Sequence, residues 1–134
     1  MPRRLIEKKR KTGYMYFNAK KIRSNMRLEE ILDVVFTRAE EYKRTARAIL
    51  EGIKDIANTL NRRTLWIDDS EMSNLIRERI GWKRRSLAYR VLSEFLIPMG
   101  FIDYRPDEGR YIISRAFQNA LVRLGSSYGR WVRS

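Results

Sequence analysis

The side chains best suited to bind a charged ligand recur at helical spacing in the second half of the chain. Ser86, Tyr89 and Arg90 follow one another at i, i+3 and i+4, with Arg85 at the edge of the same arc. The opposite arc is apolar and consists of Leu87, Ala88, Val91, Leu92 and Phe95. A guanidinium can donate two parallel hydrogen bonds to a phosphate or to a guanine edge. This segment therefore predicts a helix with one buried face and one face that binds polyanions.

Cations also cluster where this helix would begin. Lys83 and Arg84 precede Arg85, and no acidic residue follows before Glu94. Positive charges at a helix N-terminus oppose the helix dipole, by about a few tenths of a kcal/mol each, so the cluster is easier to explain if phosphates bind there. We expect Lys83 and Arg84 to bind phosphates, and the alternative is a cluster that only increases solubility. The predicted base-contacting residues are Arg85, Ser86, Tyr89 and Arg90.

The elements before this helix have clear start and stop signals. The run TLWI at 64–67 is typical of a short strand in length and composition. Asp68 and Glu71 then form a capping box, which starts a short helix that Gly81 ends. Because only two residues separate this helix from the next, the two are expected to be joined by a tight turn.

A hairpin and a further helix follow. Apolar runs at 101–104 and 110–113 flank the sequence RPDEG, whose early Pro and late Gly favour a turn, and together they predict a β-hairpin. Ser114 begins a last amphipathic helix that Gly125 ends, before a loose tail at 126–134.

We predict one domain at 61–125. Within it, the order of short strand, helix, tight turn, helix, hairpin and helix at 64–125 resembles the winged helix-turn-helix superfamily, including the MarR-like and PadR-like regulators. The resemblance rests on about 50 residues, TLWIDDSEMSNLIRERIGWKRRSLAYRVLSEFLIPMGFIDYRPDEGRYIIS, and most of all on MGFIDYRPDEGRYIIS. It concerns element order and spacing, not invariant residues. It implies a mainly α fold with a small β-hairpin wing (α+β), in which the helix starting near Arg84 enters the major groove of DNA.

Four further cations are candidates for DNA contacts. In the wing, Arg105 and Arg110 are expected to reach the minor groove or the flanking phosphates, although Asp107 and Glu108 in the turn argue against deep insertion. A purely structural wing is the alternative. The other candidates for phosphate binding are Arg62 and Arg63, for which surface decoration is the alternative.

The excess positive charge is concentrated near the N-terminus. The 134 residues have a formal net charge of +13, and residues 1–27 contain ten Lys and Arg with a single Glu. This stretch has few apolar residues and predicts a solvated basic arm, of the kind that follows DNA grooves or phosphates. The candidate DNA-binding residues of the arm are Arg3, Arg4, Lys8, Lys9, Arg10 and Lys11.

Residues 28–60 have apolar side chains at alternating steps of four and three, a heptad repeat sustained over more than four heptads. We expect a long amphipathic helix that either breaks, near Gly52 or within 34–37, or packs on a partner chain. Packing against the chain's own C-terminal helix is the alternative to dimerisation, which the regular repeat and its small residues favour. The predicted dimer seam is Leu32, Val35, Ala39, Tyr42, Ala46, Ile49 and Ile53.

The composition excludes several kinds of chemistry. With no Cys and no His, the chain has no disulfide, no thiolate nucleophile and no zinc site of the usual ligands. It has no Gly-rich phosphate loop, GxSxG or HExxH motif, so we expect no enzyme activity, metal or cofactor; a carboxylate-only nuclease site is the remaining enzymatic alternative. No apolar run is long enough to cross a bilayer, and we expect a cytoplasmic, nucleoid-associated protein.

These features together favour a double-stranded DNA-binding protein, and more specifically a homodimeric transcriptional regulator that contacts bases with the helix near Arg84. One alternative is an architectural protein that coats DNA with little sequence preference, which the basic arm would suit. Another is an RNA- or ribosome-associated protein with the same winged fold. Membrane-surface binding is less favoured, because the heptad segment lacks a basic polar face. The sequence does not indicate whether a small-molecule effector binds.

Overall fold

The computed structural model describes residues 15–37 and 39–134, which form five α-helices and one three-stranded antiparallel sheet. This mainly helical architecture with a small sheet agrees with the predicted α+β class. The predicted arm residues Arg3, Arg4, Lys8, Lys9, Arg10 and Lys11 lie outside the described residues.

The elements follow one another as α1 (Leu28–Val35), α2 (Glu40–Thr59), β1 (Trp66–Asp68), α3 (Asp69–Leu75), α4 (Arg85–Val91), β2 (Ile102–Arg105), β3 (Arg110–Ile113) and α5 (Ala116–Arg133). One π-helical turn extends α3 (Ile76–Ile80) and another extends α4 (Leu92–Leu96). Short 3-10 turns occur at Ala19–Lys21 and Trp82–Arg84.

The heptad segment folds as two helices, α1 and α2, instead of one. The break begins at Phe36, within the second of the two predicted positions, where β-branched and aromatic residues of low helix propensity follow one another. Phe36 is 1 % exposed and meets Phe95 edge to face, with 5.2 Å between the ring centroids. The break in the helix therefore places an aromatic ring in the core.

The predicted dimer seam is part of the chain's own core. Five of its residues are buried, namely Leu32, Val35, Ala46, Ile49 and Ile53, and the other two, Ala39 and Tyr42, are partly buried against the same cluster. The seam prediction is thus corrected: because the chain breaks after α1, the repeat supplies two helices that pack on each other and on the elements after β1. Packing on the C-terminal helix, the alternative, is limited to the base of α5, where Phe117 is partly buried against the core and no residue of the helix is fully buried.

Helices α3 and α4 form a pair joined at Gly81. The predicted capping box is confirmed at the start of α3, because Glu71 N–H donates to Asp68 Oδ1 and Asp68 N–H donates to Glu71 Oε1, both over 2.8 Å. Gly81 has a φ of +106° and ends the extended α3. Gly52 of α2 lies against α3: a Cβ atom there would be 2.5 Å from Leu75 Cδ1, so close packing, and not a helix break, explains this glycine.

Strand β3 is the centre of the sheet, in the order β1-β3-β2, and the predicted hairpin is formed by β2 and β3. Tyr111 on β3 lies opposite Ile67 on β1 and Tyr104 on β2. Ile67 and Tyr111 are buried, so one side of the sheet covers the helical core. At the turn, Gly109 has a φ of +61°, and its carbonyl accepts the Asp69 N–H over 3.0 Å. The hairpin is thereby tied to the start of α3.

Helix α5 is longer than predicted. It continues through Gly125 to Arg133, so the predicted helix end at Gly125 and the loose tail at 126–134 are wrong. Its base is fixed by Phe117, whose ring stacks on Phe101 with 4.0 Å between centroids and whose N–H donates to the Gly100 carbonyl over 3.0 Å. Beyond this base the large apolar side chains of α5 are exposed.

Candidate nucleic-acid interface

The four predicted base-contacting residues are all exposed on α4, namely Arg85, Ser86, Tyr89 and Arg90. The opposite arc of the helix is fixed in the core, where Ala88 and Val91 are fully buried. Helix α2 packs against this inner side of α4. The outward side chains are therefore presented by a helix whose position is set by packing.

A tryptophan between two arginines lies at the turn before α4. The Cζ atoms of Arg77 and Arg85 are 4.7 and 5.1 Å from the centroid of the Trp82 ring, within the range of cation–π contacts. Trp82 is 39 % exposed. Arg77 donates to Asn74 Oδ1 and Arg85 to the Trp82 carbonyl, and neither is paired with a carboxylate of the described residues. We name Arg77, Trp82 and Arg85 the open cluster.

The sequence interpretation missed Arg77 and Trp82 as candidate site residues. Arg77 lies in the last turn of the extended α3, and the tight turn at Gly81 brings it beside the start of α4. The shortness of that turn was the available signal, because it places side chains from both helices around the residue between them. Residues 79–93 contain five Lys and Arg and no Asp or Glu, and two of these cations pair with carboxylates of α2, Arg79 with Asp55 and Arg84 with Glu41. Lys83 and the open cluster have no such partner among the described residues.

The two predicted phosphate-binding residues at the start of α4 are accessible. Lys83 is exposed and has no ion-pair partner among the described residues. Arg84 Nη1 lies 3.7 Å from Glu41 Oε1, and both side chains are more than half exposed. An exposed pair of this kind contributes roughly 0–1 kcal/mol, so a phosphate can displace Glu41. Both side chains are thus available to an anion.

Arg90 is connected to α2. A hydrogen bond with the Tyr42 side chain raises the pKa of the Arg90 guanidinium, and the charge of Glu94 adds to this effect. Arg90 is exposed and keeps further N–H donors beside this bond, although the bond directs part of the side chain toward α2. This makes Arg85, at the exposed start of the helix, the more direct candidate.

Two tyrosines of the hairpin lie near Tyr89 on the outward face of α4. Tyr104 Oη donates to Asp69 Oδ1 over 3.1 Å, and its ring centroid lies 4.4 Å from that of Tyr111. The bond to Asp69 raises the pKa of Tyr104, and burial raises the pKa of Tyr111; the nearby Tyr89 adds to both shifts. Both phenols are neutral at physiological pH, as an unperturbed tyrosine also is.

A second tryptophan between two arginines lies on β1. The Cζ atoms of Arg62 and Arg110 are 3.7 and 3.9 Å from the centroid of the Trp66 ring. Arg62 also donates to both Glu71 carboxylate oxygens, over 2.8 and 3.0 Å, and to the Trp66 carbonyl over 2.8 Å. The bond from Arg62 is the largest of the effects that lower the pKa of Glu71. We name Arg62, Trp66, Glu71 and Arg110 the closed cluster.

The closed cluster changes the interpretation of two predicted DNA-binding residues. The Arg62 side chain is 17 % exposed and its terminal nitrogens are already hydrogen-bonded, so the prediction that it binds phosphate is corrected to a structural role. Arg110 is stacked on Trp66, which favours the structural alternative for this wing residue. Arg63, in contrast, is exposed.

The tip of the hairpin has no excess positive charge. Arg105 Nε lies 3.2 Å from Asp103 Oδ2, and its Nη1 lies 3.9 Å from Glu108 Oε1. Asp107 in the turn is exposed as well. Because these carboxylates repel phosphates, the tip is poorly suited to enter a DNA groove deeply, whereas Arg105 at its side remains exposed.

Comparison of the chain with protein-family models, with curated proteins and with solved structures found no significant match in any of the three. Within residues 15–37 and 39–134, no helix combines the length and apolar composition that crossing a bilayer requires. The same residues contain no group of three or more carboxylates arranged to hold a metal ion.

Proposed function

We propose that the chain is a double-stranded DNA-binding protein with a winged helix-turn-helix fold, and that α4 enters the major groove. The element order α2, β1, α3, α4, β2, β3, with β3 in the centre of the sheet, supports this fold. An α-helix fits the width of the major groove, and the β2–β3 hairpin would be the wing beside it.

The observation that supports DNA binding most is the basic surface around the start of α4. Arg77 and Arg85 contact the exposed Trp82, and Lys83 and Arg84 lie in the same turn before α4, a helix that the core holds in place. In this proposal Lys83, Arg84 and Arg77 bind phosphates, which fix the position of α4 on the duplex. Arg85 and Tyr89 then reach the base edges, with Ser86 and Arg90 beside them.

Within this function we propose a sequence-specific transcriptional regulator. The charge distribution favours a second candidate, because residues 1–27 contain most of the excess positive charge and lie before the winged unit. An architectural protein with little sequence preference would use such an arm for contacts that every duplex offers.

Selection from a randomised duplex pool with the full chain distinguishes these functions. The regulator predicts enrichment of one sequence, bound roughly 10³-fold or more tightly than random duplex at physiological salt. No enrichment, with cooperative coating of every duplex, would leave the architectural function and reject the regulator. Preferential binding of structured RNA in a parallel competition would contradict DNA binding altogether.

A further inference from the structure

An apolar stripe runs along α5 and is open to solvent. Leu121, Leu124, Tyr128 and Trp131 follow one another at steps of three, four and three, and they are 39 %, 69 %, 66 % and 71 % exposed. Val132 lies at the edge of this stripe and is 57 % exposed. Single exposed apolar residues are common, but a continuous row of large ones on one helix face marks an interaction surface.

We propose that this stripe pairs with the stripe of a second copy of the chain, in an antiparallel arrangement of two α5 helices. The heptad segment at 28–60 is less suited to provide the interface, because its apolar side chains, apart from the exposed Leu60, are buried or partly buried in the core. This proposal is independent of DNA binding and fails or succeeds separately from it.

Helix α5 has little packing against the rest of the chain. The helix contains Gly125 and Gly129, each of which weakens a helix by about 1 kcal/mol relative to Ala, and it buries no residue beyond its base. Most helical stability in proteins comes from tertiary packing of an amphipathic face. A second α5 would supply packing that the body of the chain does not provide.

The exposed area is sufficient for a dimer. A fully exposed aromatic side chain offers about 150–250 Å², so the stripe exposes on the order of 600 Å² in each chain. Two copies would together bury on the order of 1,200 Å², the lower limit of specific interfaces. The stripe is therefore large enough for a dimer that forms and dissociates in the micromolar range.

The charges of α5 favour a second copy over an acidic partner. Arg123, Arg130 and Arg133 are the charged residues of the helix, and helical spacing puts them on the side opposite the stripe. The positions that flank the stripe are small or uncharged, namely Gln118, Ala120, Gly125 and Ser127. Two copies can thus approach without facing like charges, whereas an acidic partner on the stripe would be far from the arginines.

An apolar groove continues the stripe at the base of α5. Its volume is about 470 Å³, and its lining includes Ile22, Met26, Ile31, Val34, Phe117 and Leu121. In an antiparallel pair centred near residue 126, Trp131 of each copy lies opposite Leu121 of the other, beside this groove, and Leu124 lies opposite Tyr128. Gly125 and Ser127 flank the crossing point and permit close approach. The contact is self-complementary, as a two-fold dimer requires.

Sedimentation equilibrium of the full chain at several micromolar concentrations tests this proposal. We expect an average mass that rises with concentration from that of the 16.1 kDa chain toward twice this value. Leu124→Arg should weaken association roughly 30-fold or more, as truncation of a central apolar contact does. The matched control is Leu60→Arg, which changes a leucine that is 52 % exposed outside α5 and should leave association unchanged. A monomer at every concentration, or a dimer that Leu124→Arg leaves intact, would overturn the proposal.

Single cysteines test the orientation, since the chain has no native Cys. Ser127→Cys, next to the predicted crossing point, should form a disulfide between two copies under mild oxidation. Arg123→Cys, on the outer side of α5, should not. Gln118→Cys would cross-link readily only if the two helices were parallel, and that result would overturn the antiparallel arrangement.

Discussion

The open and the closed cluster share a tryptophan contacted by two arginines, but only the closed cluster also contains a carboxylate. Each has a tryptophan ring between two arginines, Arg77 and Arg85 at Trp82, Arg62 and Arg110 at Trp66. In the closed cluster Glu71 accepts two hydrogen bonds from Arg62, and both side chains are largely buried. In the open cluster no carboxylate of the described residues is paired with either arginine.

The difference indicates that a paired carboxylate determines whether the arginines of such a cluster are available to bind an anion. An arginine whose donors are satisfied by Glu71 stabilises the fold and has few free N–H donors for an anion. An arginine held by a tryptophan ring and a carbonyl keeps its positive charge uncompensated, since neither partner is an anion. The closed cluster is thus expected to contribute stability, and the open cluster affinity.

The largest expected effect separates the clusters by stability. Arg62→Ala leaves the mostly buried Glu71 carboxylate without its partner and removes the bond to the Trp66 carbonyl, so the free energy of unfolding should fall by about 2–3 kcal/mol. Arg85→Ala should change it by less than about 0.5 kcal/mol. Urea unfolding followed by circular dichroism measures both. Similar losses in the two variants would mean that the clusters do not differ as described.

The next effect separates the clusters by DNA affinity. Arg85→Ala should weaken binding to the preferred duplex by about 1–3 kcal/mol, whereas Arg110→Ala, in the closed cluster, should leave it nearly unchanged. Arg85→Lys serves as the matched variant, because it keeps the charge and loses the two-pronged donor geometry. Fluorescence anisotropy with preferred and scrambled duplexes measures the affinities. If Arg85→Lys binds the preferred duplex as tightly as the native chain and distinguishes it equally well from the scrambled duplex, Arg85 contributes only its positive charge.

Acid should affect the closed cluster more than the open one. The folded state lowers the pKa of Glu71 below its ordinary value of 4.5, chiefly through Arg62, so its contribution to stability is present above that value. The contribution is lost as the pH falls through the lower pKa of the folded state. Glu71→Gln should therefore be less stable than the native chain near neutral pH, and the difference should narrow in acid. A difference that is independent of pH would show that the charge of Glu71 does not matter.

The smallest effect is a change in salt dependence. Lys83→Ala removes one predicted phosphate contact and should reduce the slope of log affinity against log salt by about 1. Lys54→Ala removes the same charge from an exposed position of α2 that has no predicted DNA contact, and should leave the slope unchanged. Equal slopes for the two variants would place the phosphate contacts elsewhere on the chain.

Local signals in the sequence were sufficient for the elements that surround α4. The capping box of Asp68 and Glu71 and the turn at Gly81 depend on residues within a few positions of each other, and both were predicted correctly. The outward face of α4 followed from spacing alone. These local features position the residues of the candidate interface. Much of that interface could therefore be predicted from the sequence.

Features that depend on distant residues were not predictable in the same way. The heptad pattern of 28–60 describes an apolar face, but it does not say whether that face meets the same chain or another one. Gly125 resembles a helix end, yet α5 continues through it. Arg62 was predicted to be an exposed cation that binds phosphate. Its partner, Glu71, is nine residues away in the sequence, and only the folded chain, with β1 between them, brings the two side chains together.

Cross-linking from α4 shows whether this helix lies against DNA. Because the chain has no native Cys, a photoreactive group can be attached at Ser86→Cys on the outward face of α4 or, as the control, at Lys54→Cys on α2. Both variants should bind duplex DNA, and we expect cross-links to bases from position 86 alone. Equal cross-linking from the two positions, or none from position 86 in a chain that still binds the duplex, would contradict this placement of α4.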